Sequence, residues 1–326
     1  MSIASRQWDL IGAHIYAPEG PYGLVGTPNL SGPTFNFGDV VDGNNESEFV
    51  FLKFSPVGVV TYNQGDVFVW DSSMIAVPSK FGAAYHSMGS HVGTIFFGGR
   101  VGDPATVKGQ GTSWSYTFQP GTYGIWVQRA GASVVNFTTI TSQATAAITT
   151  ATLGSLSAVA PGAGSESVQG IYSALLSFTF TATDTSGSAQ LTAVSDTNKL
   201  ELGMTLSGTG IPNGAYITDI QGATVYMNAL ATSTNAGTTV TAKKGTFWGT
   251  TVNGSPLITS PNLPGIFPNA TLTGTGVAGT VVSITGTAGN YTVTLSANCT
   301  AAGTVSIAAT QYVEGFLSWP FISAQN

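Results

Sequence analysis

The stretch Ser207-Gly208-Thr209-Gly210-Ile211-Pro212-Asn213-Gly214 returns 66 positions later as Thr273-Gly274-Thr275-Gly276-Val277-Ala278-Gly279. Around the first copy stand Gly187-Ser188-Ala189-Gln190-Leu191-Thr192, Val225-Tyr226-Met227-Asn228-Ala229 and Asn235-Ala236-Gly237-Thr238-Thr239-Val240. Around the second stand Gly254-Ser255-Pro256-Leu257-Ile258-Thr259, Val293-Thr294-Leu295-Ser296-Ala297 and Ala301-Ala302-Gly303-Thr304-Val305-Ser306. Four blocks in one order, with slips of one or two residues, mark a duplicated unit. Short runs of Val, Ile, Leu and Thr punctuated by Gly and Asn are the chemistry of strands and tight turns. Residues 186–250 and 251–309 are therefore expected to form two tandem small β-modules.

Composition extends this expectation to the whole chain. Gly supplies 42 of the 326 residues, about 13% against an average of ~7%, while charged residues are 7% against ~25%. A hydrophobic content of 42% excludes disorder, which needs low hydrophobicity and high charge. A surface with so few Lys, Glu, Asp and Arg is one expected to pack against neighbouring molecules. The formal charge of −6 and the scatter of nine basic residues argue against nucleic acid as a partner, since tracking phosphates takes clustered Lys and Arg. The single cysteine, Cys299, allows no intrachain disulfide and is expected as a small buried hydrophobe, in keeping with folding in a reducing cytoplasm. The N-terminal residues carry no apolar signal-like core, and no run of eighteen apolar residues occurs, so no membrane association is expected.

Working outward from the repeats, residues 1–48 are rich in Gly, Pro and Asn and are expected as an extended arm with one or two edge strands. The arm carries Trp8, Tyr16, Tyr22, Phe35 and Phe37. Each large side chain left in water costs about 1.5–3 kcal/mol, so the body or a neighbouring subunit must cover them, and they are the candidate interface residues. Residues 49–185 carry short apolar runs at strand spacing, among them Phe49-Val50-Phe51-Leu52-Lys53-Phe54, Val67-Phe68-Val69-Trp70 and Tyr123-Gly124-Ile125-Trp126-Val127-Gln128. Gln119-Pro120-Gly121-Thr122 suits a type II turn and predicts a hairpin between residues 113–118 and 123–128. Residues 144–149, Ala-Thr-Ala-Ala-Ile-Thr, offer a short helix. Leu176, Phe178 and Phe180 alternate with Ser177 and Thr179 as a half-buried strand should. After the modules, residues 310–326 regain the aromatic density of the body and are expected to return to it as a closing strand, which makes the modules an insertion. The fold class is all-β, a barrel or sandwich body with an arm and two modules.

Candidate chemistry is sparse. Gly274-Thr275-Gly276-Val277-Ala278-Gly279 fits the dinucleotide spacing G-x-G-x-x-G, but strand character continues after it and no acidic residue lies between Asp219 and Glu314, so these are turn glycines. His14, His86 and His91 lack Cys or carboxylate neighbours at ligand spacing. The acidic segment Asp39–Glu48 offers oxygens for calcium without the spacing of an EF-hand and is taken as a solvated loop. No nucleophile elbow occurs, and Asp66, Asp71 and Asp103 remain as carboxylates that folding would have to bring together for glycoside hydrolysis. No enzymatic activity and no cofactor are expected. Trp70, Trp114, Trp126, Trp248 and Trp319 sit in strand-like alternation, where core packing is the commoner fate, although aromatic residues exposed on a sheet also stack on sugars.

The run Glu48-Phe49-Val50-Phe51-Leu52-Lys53, then Gly65-Asp66-Val67-Phe68-Val69-Trp70-Asp71, Val92-Gly93-Thr94-Ile95 and Gly121-Thr122-Tyr123-Gly124-Ile125-Trp126-Val127-Gln128 resembles the head decoration, or cement, proteins of tailed bacteriophages over roughly residues 48–183. The chain departs from that pattern by placing Ile125 between Gly124 and Trp126. The modules are similar to Gly-Thr-Gly β-modules of phage structural and bacterial surface proteins. The resemblance implies a non-enzymatic virion protein, made in the host cytoplasm, that stabilises the outside of a capsid as a homo-oligomer contacting the major capsid protein and copies of itself. A tail-fibre, receptor-binding or lectin-like protein is the alternative.

Overall fold

The computed structural model describes residues 19–22, 35–42, 47–79, 88–96, 115–139, 147–149, 154–157, 166–173 and 177–325. All regular structure among them is β. In chain order the strands are β1 (Glu19–Tyr22), β2 (Val40–Asp42), β3 (Glu48–Phe54), β4 (Val60–Asn63), β5 (Val67–Trp70), β6 (Val77–Pro78), β7 (His91–Ile95), β8 (Ser115–Phe118), β9 (Thr122–Val135), β10 (Phe137–Thr139), β11 (Ala147–Thr149), β12 (Leu156–Ser157) and β13 (Glu166–Ser173). There follow β14 (Ser177–Asp184), β15 (Gln190–Thr192), β16 (Thr205–Gly208), β17 (Ile217–Gln221), β18 (Thr224–Met227), β19 (Asn235–Lys243), β20 (Thr246–Thr251), β21 (Leu257–Ser260), β22 (Thr271–Gly274), β23 (Val277–Thr287), β24 (Asn290–Leu295) and β25 (Gly303–Ala309), and last β26 (Val313–Gln325). The chain divides into two compact units, a body of residues 2–173 and 311–326, and an inserted unit of residues 174–310.

The body is built on one large sheet whose main path runs β10-β12-β11-β13-β26-β7-β9-β3-β2, with β5 and β6 attached to β7 and β1 attached to β9. The fourteen-residue β9 is its spine, pairing antiparallel with β1, β3, β7 and β26. Phe49, Phe51, Leu52, Val67, Phe68, Trp126 and Val127 are almost wholly buried. They belong to runs apolar on both faces, as a strand covered on both sides requires. The aromatic core is held edge to face: Phe118 meets Phe54 at 5.0 Å and 80° and Tyr123 at 5.0 Å and 89°. Such pairs add about 0.5–1.5 kcal/mol each beyond area burial.

Two local expectations fail here. Residues 115–118 make no hairpin with the strand that follows Gly121; β8 pairs with β4 in a separate two-stranded sheet, while β9 joins the large one. The Pro120-Gly121 corner instead carries the chain from one sheet to the other, and Phe118 packs against the ring of Tyr123 rather than pairing along its backbone. The expected helix at 144–149 is replaced, where described, by strand β11, which pairs with both β12 and β13. Sheet partners on both sides override the modest helix preference of three Ala residues.

The inserted unit consists of two modules with the same strand order. In the second, β20-β21-β24-β23-β22-β25 close into a barrel. In the first, β16-β19-β14-β15-β18-β17 follow the equivalent order but stay open between β16 and β17, where a single bridge joins Thr205 to Tyr216. The difference is written in the duplicated turn. In the second copy Thr275-Gly276 is a two-residue hairpin turn, with Gly274 paired to Val277 and Gly276 at φ +69°, and β23 runs on from it. In the first copy Pro212, which has no N–H to give to a ladder, follows the same turn, and Gly214 at φ +86° bends the chain before pairing resumes. Each module has its own core, one around Phe180, Leu206, Ile217 and Val240, the other around Phe247, Ile258, Val281 and Ile307, with Cys299 buried in the second.

The structure moves two boundaries. Ser177–Asp184, placed in the body by its position before the repeats, is a strand of the first module, paired along its length with β19. Thr246–Thr251, placed at the end of the first repeat, opens the second barrel by pairing with β25 and β21. In both cases the repeat had been recognised from its turns, while each module's first strand lies ahead of the block where similarity becomes visible. The modules are joined by side chains as well as by the chain: Thr205 Oγ1 donates to the Thr246 carbonyl, and Asn262 Nδ2 to the Gly203 carbonyl.

Candidate functional site

Two arrangements in the body bring polar and aromatic side chains together. The first is a buried polar clamp at the point where the chain re-enters the body. Asp66, 4% exposed, accepts from the Asn63 backbone N–H at 2.8 Å, from Asn136 Nδ2 at 2.7 Å and from the Tyr312 hydroxyl at 2.9 Å. The Tyr312 oxygen in turn accepts from Asn63 Nδ2 at 2.9 Å and Asn136 Nδ2 at 3.1 Å, and Gln311 Nε2 donates to Asn136 Oδ1 at 3.0 Å. Burial pushes the Asp66 carboxyl up to about 6, although the bonds from Asn63, Tyr312 and Asn136 all favour its charged form. Burial and the adjacent Asp66 also raise Tyr312 well above the ordinary phenol range. A catalytic carboxylate pair would set Asp66 beside a second acid, yet its partners are amides and a phenol. Asp71 lies exposed and accepts from the Ser73 N–H and hydroxyl, and Asp103 lies outside the described residues. Among the described residues the clamp ties Tyr312, just ahead of β26, to Asn63, Asp66 and Asn136.

The second arrangement is a surface groove of about 230 Å³ lined by Trp70, His91, Arg129, Trp319 and Phe321, among others. Two β-bulges make it. Along β3 and β9, Glu48 pairs with Ala130 and Phe49 with Gln128, which leaves Arg129 unpaired in the ladder and turned toward Glu48, with which it forms an ion pair. Along β13 and β26, Gln169 pairs with Phe321 and Ile171 with Leu317, so Ser318, Trp319 and Pro320 all face Gly170. Only glycine fits there: a Cβ on residue 170 would stand 2.6 Å from the Ser318 carbonyl oxygen and 3.0 Å from Pro320 Cα, and its φ is +83°. Trp319 sits at φ +42°, a strained conformation for an aromatic residue and more so before proline. The strain swings its indole outward to 58% exposure, and its Nε1–H donates to Glu48 Oε1 at 3.1 Å. Trp70, 2% exposed, forms the floor and stacks on His91 at 5.7 Å and 28°.

The candidate residues from sequence fare as follows. Trp8 and Tyr16 lie outside the described residues, and Tyr22 ends β1, which pairs with β9, without a described side chain. Phe35 and Phe37 are half-buried on the body itself: Phe35 meets Phe51 at 5.7 Å and Trp126 at 5.4 Å, and Phe37 stacks on Phe51 at 5.6 Å. His14 and His86 are outside the described residues, and His91 lines the groove. In the acidic segment, Asp39 accepts from the Asn36 N–H and Glu48 is held by Arg129 and Trp319. No cluster of three or more metal-ligating side chains occurs among the described residues. Trp70 and Trp126 are core residues as their alternation predicts, whereas Trp319 is not. A Trp-Pro pair in a strand was the available signal, since proline in a ladder marks a bulge.

The chain matches no protein-family model, no curated protein and no solved structure.

Proposed function

We propose that the chain is a structural virion protein that decorates the outside of a phage head, with the body as the attachment platform and the inserted unit as the displayed part. The observation that carries this reading is the rooting of the insertion. Ser173, the last residue of β13, and Gly315, near the start of β26, are direct partners in adjacent strands, so 137 residues, from Ala174 to Thr310, leave and re-enter through one strand pair. A unit held by one root can be carried by a platform without forming part of its core.

Several features support attachment through apolar and neutral contacts rather than through charge. The body exposes Val57 fully and Val59 at 62% in one loop, and the chain has nine basic and fifteen acidic residues in 326. Interfaces of this kind are depleted of charge at their centres. The partners are the major capsid protein and further copies of this chain, and the location is the capsid surface. Since Phe35 and Phe37 are already half-buried on the body, the arm's share of the interface rests mainly on Trp8, Tyr16 and Tyr22.

Adding the full-length chain to heads that lack it, then imaging by cryo-electron microscopy, tests the proposal. Density repeating over the head lattice, with Val57→Asp/Val59→Asp lowering occupancy at least tenfold, is the expected outcome. Absence from the head surface, or density confined to the tail tip, overturns it.

A further inference from the structure

We infer that the groove between the two bulges is a carbohydrate site that takes a neutral pyranose ring, with Trp319 as its stacking platform. The inference stands on the body alone and holds wherever in a particle the protein sits. Two independent bulges of the backbone converge there. One bulge turns Arg129 out of β9, a second turns Trp319 out of β26, and Gly170 is the glycine that the second bulge requires. Bulges commonly re-aim side chains beside binding sites, and a strained residue held by its surroundings is a mark of function.

The side chains match the two halves of a sugar's chemistry. The apolar C–H face of a pyranose needs a flat ring open to solvent, and Trp319 offers one whose orientation is fixed by its bond to Glu48. Phe321, 43% exposed, stands on the same strand two residues on. The equatorial hydroxyls need planar donors and acceptors at the edge of that ring. Arg129 uses its Nε on Glu48, leaving its terminal N–H groups as donors, the exposed His91 ring completes the rim, and Glu48 holds both Arg129 and Trp319 in place. Arg129 and Glu48 cancel one another's charge, so the rim favours a neutral sugar over an acidic one. The groove is smaller than the ~300–1,000 Å³ of sites for drug-sized ligands, which suits about one ring at the end or the branch of a glycan.

Tryptophan fluorescence and saturation-transfer NMR of the full chain, titrated with glucose, galactose, mannose, N-acetylglucosamine and, as an acidic comparison, N-acetylneuraminic acid, test the inference. At least one neutral sugar is expected to bind with Kd of the order of 1 mM, in line with the affinity available to so small a ligand. Trp319→Ala should weaken that binding at least tenfold, while Trp319→Tyr, which keeps a stacking ring, should stay within about threefold. Phe316→Ala, on the same strand and outside the groove lining, should leave it unchanged, with far-ultraviolet circular dichroism confirming that every variant is folded. Binding that survives Trp319→Ala, binding of the acidic sugar alone, or no binding of any neutral sugar up to about 50 mM each overturns the inference.

Discussion

At the residue scale, Asp66 carries the sharpest prediction. Its carboxyl titrates near 6 in the folded protein and near ~3.9 in an unfolded chain. Below pH ~4 both states hold the proton. Between the two values the unfolded state has released it and the folded state has not, so stability falls as pH rises from about 4 to about 6 and is level beyond. The fall is on the order of 3 kcal/mol for a shift of this size. Tyr62 and Tyr312, both raised by burial and by the Asp66 charge, stay neutral throughout this window. Urea unfolding of the wild type and of Asp66→Asn from pH 4 to 7 checks this: the variant is expected to lack that slope, so that its stability relative to the wild type rises by about the same amount between pH 4 and pH 7. Tyr312→Phe, which strips a partner from Asp66, Asn63 and Asn136 at once, should cost about 1–3 kcal/mol at pH 7 in the same assay. None of this was legible in the sequence, because Asn63, Asp66, Asn136 and Tyr312 are spread over some 250 positions and carry no motif. Trp319 shows the opposite case. Its strand was foreseen, but a bulge reverses the direction in which a side chain points, and alternation cannot register that.

At the scale of elements, the repeat was the most legible feature, because hairpin turns admit few residues and two copies repeat the same ones. What they build differs in a way that one residue explains, since Pro212 interrupts in the first module the strand that closes the barrel in the second. The turn glycines differ too in what surrounds them. A Cβ on Gly210 would stand 2.2 Å from Asp184 Oδ2 and 2.6 Å from Ser233 Oγ, whereas nothing lies within 4 Å of the same position on Gly222, which also has a positive φ. Gly210→Ala should therefore cost roughly 2–4 kcal/mol, from strain and displacement of the buried Asp184, and Gly222→Ala only about 1 kcal/mol from its backbone. Thermal unfolding of the two variants measures the difference. First strands were the least legible elements: β14 read as a half-buried strand of the body, β20 had no strand reading of its own within residues 186–250, and pairing with β19 and β25 is what assigns them to their modules.

At the scale of the whole molecule, the all-β class followed from composition, and the return of the final strand to the body followed from its aromatic density. The order of strands in the large sheet did not, since it depends on long-range pairings such as β3 with β9 and β13 with β26. Separate cores in the two units lead to a prediction at this scale. Differential scanning calorimetry should resolve more than one transition, and Phe68→Ala should lower the body's transition while leaving that of residues 174–310 in place. A single transition that moves as a whole would mean the units unfold together.

The strand pair that roots the insertion also sets how the protein meets a mechanical load. Ser173 and Gly315 lie at the same end of an antiparallel pair, so tension applied through residues 174 and 310 acts across the hydrogen bonds between β13 and β26 and opens them one after another like a zipper, rather than shearing them together. The clamp stands at the mouth of that zipper, where Gln311 is bonded to Asn136, and Tyr312 to Asn63, Asn136 and Asp66, just ahead of the returning strand. Tension on the returning chain would thus be resisted first by the Gln311 amide, and next by one phenol hydroxyl with the buried carboxylate and amides that hold it.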